Sequence, residues 1–312
     1  MDFKKIVIAG GGVLGSQIAF QSAFKGFDVT IWLRSEGSIG RTQPKLTRVK
    51  SIYLDTLEAM KTNPAAYCRG FTNSKELSAQ ALDELKEKAI KAFENIKLTT
   101  SYEDAFKNAD LVIECIAEIP EEKIEFYKKM HKYLPEHTVV ATNSSTLLPS
   151  QLAEYTGRPE KYLALHFANE IWKNNTAEIM GHPNTNQKYY NQVVEFADAI
   201  GMVPLKLKKE QPGYILNSML VPFLNSAQTL LATDVADPET IDLTWKMGTG
   251  APAGPFQILD VVGLTTAYNI VSNHPDSKNP ETIHGKIAKM LKKYIDEGKT
   301  GINAGEGFYK YK

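Results

Sequence analysis

Apolar residues along this chain fall into two textures that change near residue 207. Up to that point, short apolar runs alternate with stretches in which apolar residues recur every three or four positions. Residues 6–9, 28–33, 96–99, 111–117, 138–142, 162–167, 177–180 and 203–207 read as strands. Helical spacing covers 16–25, 45–60, 74–95, 121–134 and 186–200, with shorter helical stretches at 101–105 and 150–155. Alternation on this scale predicts an α/β fold with a doubly wound, mostly parallel sheet. After Lys208 no strand pattern returns. Four helical stretches, 214–233, 238–247, 256–272 and 282–297, follow one another, and Gln211-Pro212-Gly213 punctuates the change. The expected organisation is a sheet domain of residues 1–206, carrying a helical insertion at about 42–95, and an all-helical domain of residues 207–312. Within the second domain the stretch from Leu216 to Leu231 is so apolar that it is expected to lie between domains or subunits.

The first strand feeds directly into Gly10-Gly11-Gly12-Val13-Leu14-Gly15, a G-x-G-x-x-G run with a strand before it, a helix after it and a second strand on schedule. This context marks a Rossmann-type dinucleotide-binding turn. Gly10 allows the turn, Gly12 lets the backbone approach a pyrophosphate, and Gly15 lets the helix pack close to the strand. The helix N-terminus offers N–H groups to the phosphates. An NAD site usually ends its second strand with a carboxylate for the ribose hydroxyls. Leu33 stands there instead, followed by Arg34 and Ser35. A guanidinium and a hydroxyl suit a 2′-phosphate, so the expected cofactor is NAD(P)(H) with NADP(H) favoured over NAD(H). Glu118, Lys123 and Asn143 are expected to complete the cofactor contacts.

The 312 residues suffice for two domains with a large core, and apolar and charged contents of 43% and 23% are ordinary for a globular protein. Lys+Arg and Asp+Glu balance at 36 each, which excludes a global basic field for nucleic acid or an anionic membrane. The start, Met1-Asp2 and two lysines before the first strand, leaves no room for a signal peptide, and no apolar run approaches a membrane span, so a cytoplasmic protein is expected. The two cysteines, Cys68 and Cys115, have neither disulfide-framework nor metal spacing. His131, His137, His182, His274 and His284 show no ligand spacing either, so no metal site is expected.

Three polar groups fall near the sheet's carboxyl rim. Strand 138–142 ends in Asn143-Ser144-Ser145-Thr146, strand 162–167 contains His166, and Glu178 comes twelve positions after that histidine. A histidine is a natural acid/base for hydride chemistry, a carboxylate behind it fixes its tautomer, and a hydroxyl can bind the reacting oxygen. Taken singly, each has a plain structural reading: interior histidine, strand carboxylate, helix-capping serine. Asn217, early in the first helix of the second domain, says less still by itself.

The segments GGGVLG, ATNSSTLLPS, LALHFAN, AEIMG, PGYILNSMLVPFL, GTGAPAGPFQILDVVGL and GEGFYKYK resemble, in order and over essentially the whole chain, the L-3-hydroxyacyl-CoA dehydrogenase family (3-hydroxybutyryl-CoA dehydrogenase-like). Within it, the HFAN and NNTAE wording is similar to the bacterial diketoreductases. The resemblance implies a nicotinamide-dependent interconversion of a 3-keto and an (S)-3-hydroxy group, and a helical C-terminal domain that forms a homodimer. It implies His166 as acid/base, Glu178 as its orienting partner, and Ser145 and Asn217 as donors to the substrate oxygen. One departure touches the substrate: the family's Asn-Pro after His-x-Phe is replaced by Ala168-Asn169-Glu170-Ile171-Trp172-Lys173-Asn174-Asn175. Asn169, Trp172 and Asn175 are therefore expected to rebuild the pocket wall. A 3-hydroxyacyl-CoA such as 3-hydroxybutyryl-CoA and a non-CoA 3-keto or 3,5-diketo acid or ester both stay open as substrates. A non-catalytic, crystallin-like or nucleotide-sensing role is the reading from another class.

Overall fold

The computed structural model describes residues 3–311; the Met1-Asp2 start and Lys312, the last residue of the GEGFYKYK ending, lie outside the description. By internal contacts the chain divides into two compact units, Met1–Ile215 and Leu216–Lys312.

The first unit opens with β1 (Lys5–Ala9), α1 (Val13–Phe24) and β2 (Asp28–Trp32). An arm of two helices follows, α2 (Glu36–Ala59) and α3 (Ala79–Asn95). Then come β3 (Lys97–Thr99), α4 (Tyr102–Phe106), β4 (Leu111–Glu114), α5 (Pro120–Met130), β5 (Val139–Thr142), α6 (Pro149–Leu152), β6 (Tyr162–Phe167), β7 (Thr176–Met180), α7 (Gln187–Ala199) and β8 (Val203–Lys206). Among the described residues the strands form one eight-stranded sheet in the order β3-β2-β1-β4-β5-β6-β7-β8. Every neighbouring pair is parallel except β6 and β7. The strand order reverses between β1 and β4, and this is where a crevice opens in sheets of this kind. Helices cover both faces, so the strands are apolar on both: Ile6, Ile8 and Ile113 enter one core, Val7, Val112 and Val140 the other.

The arm differs from expectation in its limits. α2 starts at Glu36 rather than near residue 45, with Pro44 inside it, and α3 starts at Ala79 because the Ser78 hydroxyl caps it by accepting from Ala81 N at 3.1 Å. Tyr53 of α2, fully buried, packs against Phe20, Phe24 and Phe71, and its hydroxyl bonds the Gln21 side chain. The arm is thus a wing of the main core, and its lysines form the outer face.

The second unit holds α8 (Leu216–Ala232), α9 (Pro238–Thr249), α10 (Pro255–Val262), α11 (Leu264–Ser272) and α12 (Ile283–Asp296). The single helix expected over 256–272 is two, because Gly263 takes φ +90°, outside helical geometry. Leu224, Phe256, Leu259, Leu264, Ile287 and Leu291 form its core. The glycine-bearing, aromatic ending docks on Asp260, a buried carboxylate that accepts from Phe308 N at 2.8 Å, Tyr309 N at 2.9 Å and the Tyr311 hydroxyl at 2.8 Å. Among the described residues no helix is long and apolar enough to cross a membrane.

Candidate active site

β7 runs antiparallel to β6 with Glu178 directly opposite His166. Opposed residues on one face of an antiparallel pair are neighbours, which is how a residue near the start of one strand meets one near the end of another. His166 Nδ1 lies 3.1 Å from Glu178 Oε2, and both residues are buried. A carboxylate at Nδ1 selects the tautomer protonated there and leaves Nε2 for the Ser145 hydroxyl, 3.2 Å away. Glu178 Oε1 accepts from the Ile215 amide at 2.9 Å. The Tyr214 ring stacks on the imidazole, with centroids 4.3 Å apart and planes 12° from parallel.

The loop carrying Ser145 is held from several sides. Glu118 Oε1 accepts from Ser145 N and Thr146 N, each at 3.0 Å, from Thr146 Oγ1 at 2.9 Å and from the Ser144 hydroxyl. Burial alone would raise the Glu118 pKa, but the Ser144 hydroxyl, Lys123 and Thr146 together hold it below the ordinary carboxylate value. Asn143 Oδ1 accepts from Phe167 N at 3.1 Å, tying the loop to the end of β6. Lys123 is 1% exposed; its ammonium lies 2.6 Å from Glu114 Oε1 and 3.3 Å from Glu118 Oε2. Glu114, fully buried, also accepts from the Tyr127 and Thr142 hydroxyls and from Ile116 N, each at 2.8 Å. Burial, then the Glu114 charge, push the Tyr127 hydroxyl well above its usual pKa. Sequence reasoning missed this network. Its signal was a carboxylate inside the apolar run 111–117 with a lysine nine positions on.

The glycine turn fits a dinucleotide. A Cβ on Gly10, at φ +117°, would lie 2.6 Å from the Cys115 carbonyl, whereas above Gly12 the space is open for 4 Å. The N-terminus of α1 has no side-chain cap. Two cavities meet at Gly12. One, of about 600 Å³, is lined by Gly10, Leu33, Arg34, Ser38, Arg41 and Lys45 among others. The other, of about 400 Å³, is lined by Val13, Leu14, Gly15, Glu118, Lys123, Asn143 and Ser145 among others. The first lies at the end of β2 and the second beside the serine loop. Leu33 is 2% exposed and packs in the core, and the charged groups lining the larger cavity are Arg34, Arg41, Lys45 and Lys129 with Glu122 and Glu125. Arg34 Nη1 lies 3.3 Å from Glu122, the Ser35 and Ser38 hydroxyls are 3.0 Å apart, and Arg41 Nη2 donates to Ser38 Oγ at 2.8 Å.

Three pocket-wall expectations need correction or narrowing. Trp172 is 5% exposed, with its indole in the main core 5.5 Å from the Tyr53 ring and its carbonyl accepting from Gly70 N at 2.9 Å. The largest apolar surface in the segment is buried against the arm rather than offered to a ligand. Asn175 is also buried, its amide donating to the Gly201 carbonyl at 2.8 Å, which fastens the approach to β8. Asn169 alone of the three is exposed, its carbonyl accepting from the Asn174 amide at 2.9 Å. Asn217 is the second residue of α8 and belongs to the second unit. Histidines that looked scattered do gather: His274, Asp276 and His284 bring potential ligand atoms within 4.8 Å of one another. The two rings, however, stack 3.8 Å apart at 11°, so their in-plane lone pairs run side by side instead of meeting at a metal.

Residues 5–211 match the NAD binding domain of 3-hydroxyacyl-CoA dehydrogenase, and residues 213–311 match its C-terminal domain. Over 311 residues the chain is 33% identical to the mitochondrial hydroxyacyl-coenzyme A dehydrogenase of Homo sapiens, covering 99% of this chain and 91% of that one. It is 30% identical over 318 residues to a probable 3-hydroxybutyryl-CoA dehydrogenase of Bacillus subtilis (strain 168), covering 100% and 98%. A solved structure described as substrate-directed dual catalysis of dicarbonyl compounds by diketoreductase is 46% identical, with a TM-score of 0.86 and 100% of both chains covered. Matched by both domains of one family from residue 5 to residue 311, the chain belongs to the 3-hydroxyacyl-CoA dehydrogenases, a family of NAD-dependent oxidoreductases.

Proposed function

We propose that this member of the family interconverts a 3-keto and an (S)-3-hydroxy compound with His166 as the acid/base. The observation that carries the reading is the ordered series Ser145 Oγ, His166 Nε2, His166 Nδ1, Glu178 Oε2, with contacts of 3.2 and 3.1 Å at the rim beside the glycine turn. The chemistry that a nicotinamide held at the glycine turn would supply is hydride transfer to C3 in reduction and from C3 in oxidation. In reduction, imidazolium His166 passes its Nε2 proton to the substrate oxygen and ends neutral; oxidation reverses the transfer. Glu178 holds Nδ1–H, which keeps the ring aligned and stabilises its charged form. The Ser145 hydroxyl hydrogen-bonds the same oxygen, and Asn217 is proposed as a second donor on the strength of the family motif alone.

The substrate is a 3-hydroxyacyl-CoA in the first reading, in line with the names of the relatives. A non-CoA dicarbonyl is the second reading, favoured by the 46% identical diketoreductase and by the changed segment after His166. NADP(H) is favoured over NAD(H) because Arg34 and Arg41 line the larger cavity beside Gly10 and Leu33 supplies no carboxylate. A homodimer through the second unit accounts for the exposed Met219, Leu243, Met247 and Val261.

The test is the initial rate with acetoacetyl-CoA and with a 3,5-diketo ester, each with NADH and NADPH, for the native protein and for His166→Gln. Loss of roughly 10²- to 10⁴-fold in the variant with cofactor binding intact is expected. Retained turnover would remove His166 as the acid/base.

A further inference from the structure

We infer that Tyr214 is a positioning residue for this acid/base, holding the His166 ring by its face and the Ser145 loop by its hydroxyl. The inference rests on the reading of His166 given above. Tyr214 is 1% exposed and takes φ +55°, a conformation that bulky side chains rarely adopt without a compensating interaction. Its ring lies flat on the imidazole, and its hydroxyl donates to the Ser144 carbonyl at 2.7 Å, one residue before the serine that faces Nε2. The next residue, Ile215, gives its amide to Glu178. Two consecutive residues therefore touch the ring, the carboxylate behind it and the loop in front of it.

The two parts of the side chain do different work. The aromatic face lies flat on the imidazole and fixes the plane of that ring, a constraint that a flexible aliphatic side chain does not impose. The hydroxyl stays a donor at every working pH, because burial first, and then the charges of Glu118, Glu178 and Glu114, push it well above the ordinary phenol range. The charged groups around His166 are Glu178 from β7 and, across the Ser145 loop, Glu118 with Lys123 of α5 paired to it; Tyr214 contributes the only aromatic face recorded against the ring among the described residues.

Two substitutions separate these parts, read as kcat, KM and pH–rate profile with acetoacetyl-CoA and the 3,5-diketo ester. Tyr214→Phe keeps the stack and frees the Ser144 carbonyl; kcat is expected to fall about three- to tenfold with the profile unmoved. Tyr214→Met fills the space with a flexible apolar chain and removes the aromatic face. In that variant a further loss of kcat with an unchanged KM for the nicotinamide is expected, the split that marks a misaligned proton donor and not a lost binding site. Profiles and kcat values that overlay the native protein in both variants would overturn the inference, as would a change confined to thermal stability. Its failure is distinct from failure of the acid/base reading. If His166→Gln retains turnover, that reading falls; if His166→Gln is inactive and the Tyr214 variants are native-like, only the role of Tyr214 falls.

Discussion

Replacing Lys123 by methionine isolates the buried charge network beneath the serine loop. The ammonium sits 2.6 Å from a carboxylate with no solvent exposure, so its loss leaves Glu114 charged in the core. Breaking a buried pair on one side costs about 3–5 kcal/mol. Glu114 keeps three other donors, the Tyr127 and Thr142 hydroxyls and Ile116 N, which places the expected loss at the lower end, about 3 kcal/mol. For a unit of this size that corresponds to a fall in Tm of roughly 6–12 °C. Calorimetry on the full chain, with urea unfolding as the second measurement, reads it. The companion variant Lys123→Met with Glu114→Gln removes the stranded charge, and it should recover at least half of the loss, since the amide oxygen still accepts from Ile116 N and the amide NH2 can donate to the hydroxyl oxygens of Tyr127 and Thr142. A single variant melting within about 2 °C of the native protein, or a double variant no better than the single, would refute the account of a charge neutralised in the core. Stability is the proper readout because Lys123 also lines the smaller cavity, so activity would change for two reasons at once.

Two further outcomes are expected. Arg34→Ala combined with Arg41→Ala should raise KM for NADPH about tenfold or more while leaving KM for NADH nearly unchanged, and equal effects on both would end the case for a 2′-phosphate site. Glu118 has its pKa held below the usual value in the folded protein, so its contribution to stability is full above about 4.5, the ordinary carboxylate value, and is lost as pH falls through the lower folded value. Acid unfolding curves of Glu118→Gln should therefore be flatter below that pH than those of the native protein, and a parallel pair of curves would show the carboxylate is not held as described.

What could be read from the sequence was what is local. The glycine turn, the strand and helix periods and the change of texture after the last strand depend on residues a few positions apart, and each left a pattern. Glu178 could be named as a candidate, but its meeting with His166 depended on β7 reversing direction beside β6, and no periodicity reports direction. The same limit hid Tyr214, whose partners lie 48 and 70 positions away, and the Glu114 network, whose members sit on β4, β5 and α5. Trp172 was misplaced because an aromatic after the histidine says nothing of which side it turns to; only the arm, with Tyr53 waiting, decides that it goes inward. The break at Gly263 was written in the chain, yet an isolated glycine inside a helical pattern is often tolerated.

The rung on which His166 faces Glu178 has a consequence for how new specificities arise on this scaffold. Both partners are anchored in buried strands, and a slip of one residue would separate His166 from Glu178, so the register that packs β6 against β7 also assembles the proton-transfer pair. The connection between them, residues 168–175, hangs from two ends that are already fixed. Trp172 and Asn175 fasten its middle to the arm and to Gly201, so change that leaves both the core and the chemistry in register is confined to its exposed positions, Asn169, Glu170, Lys173 and Asn174.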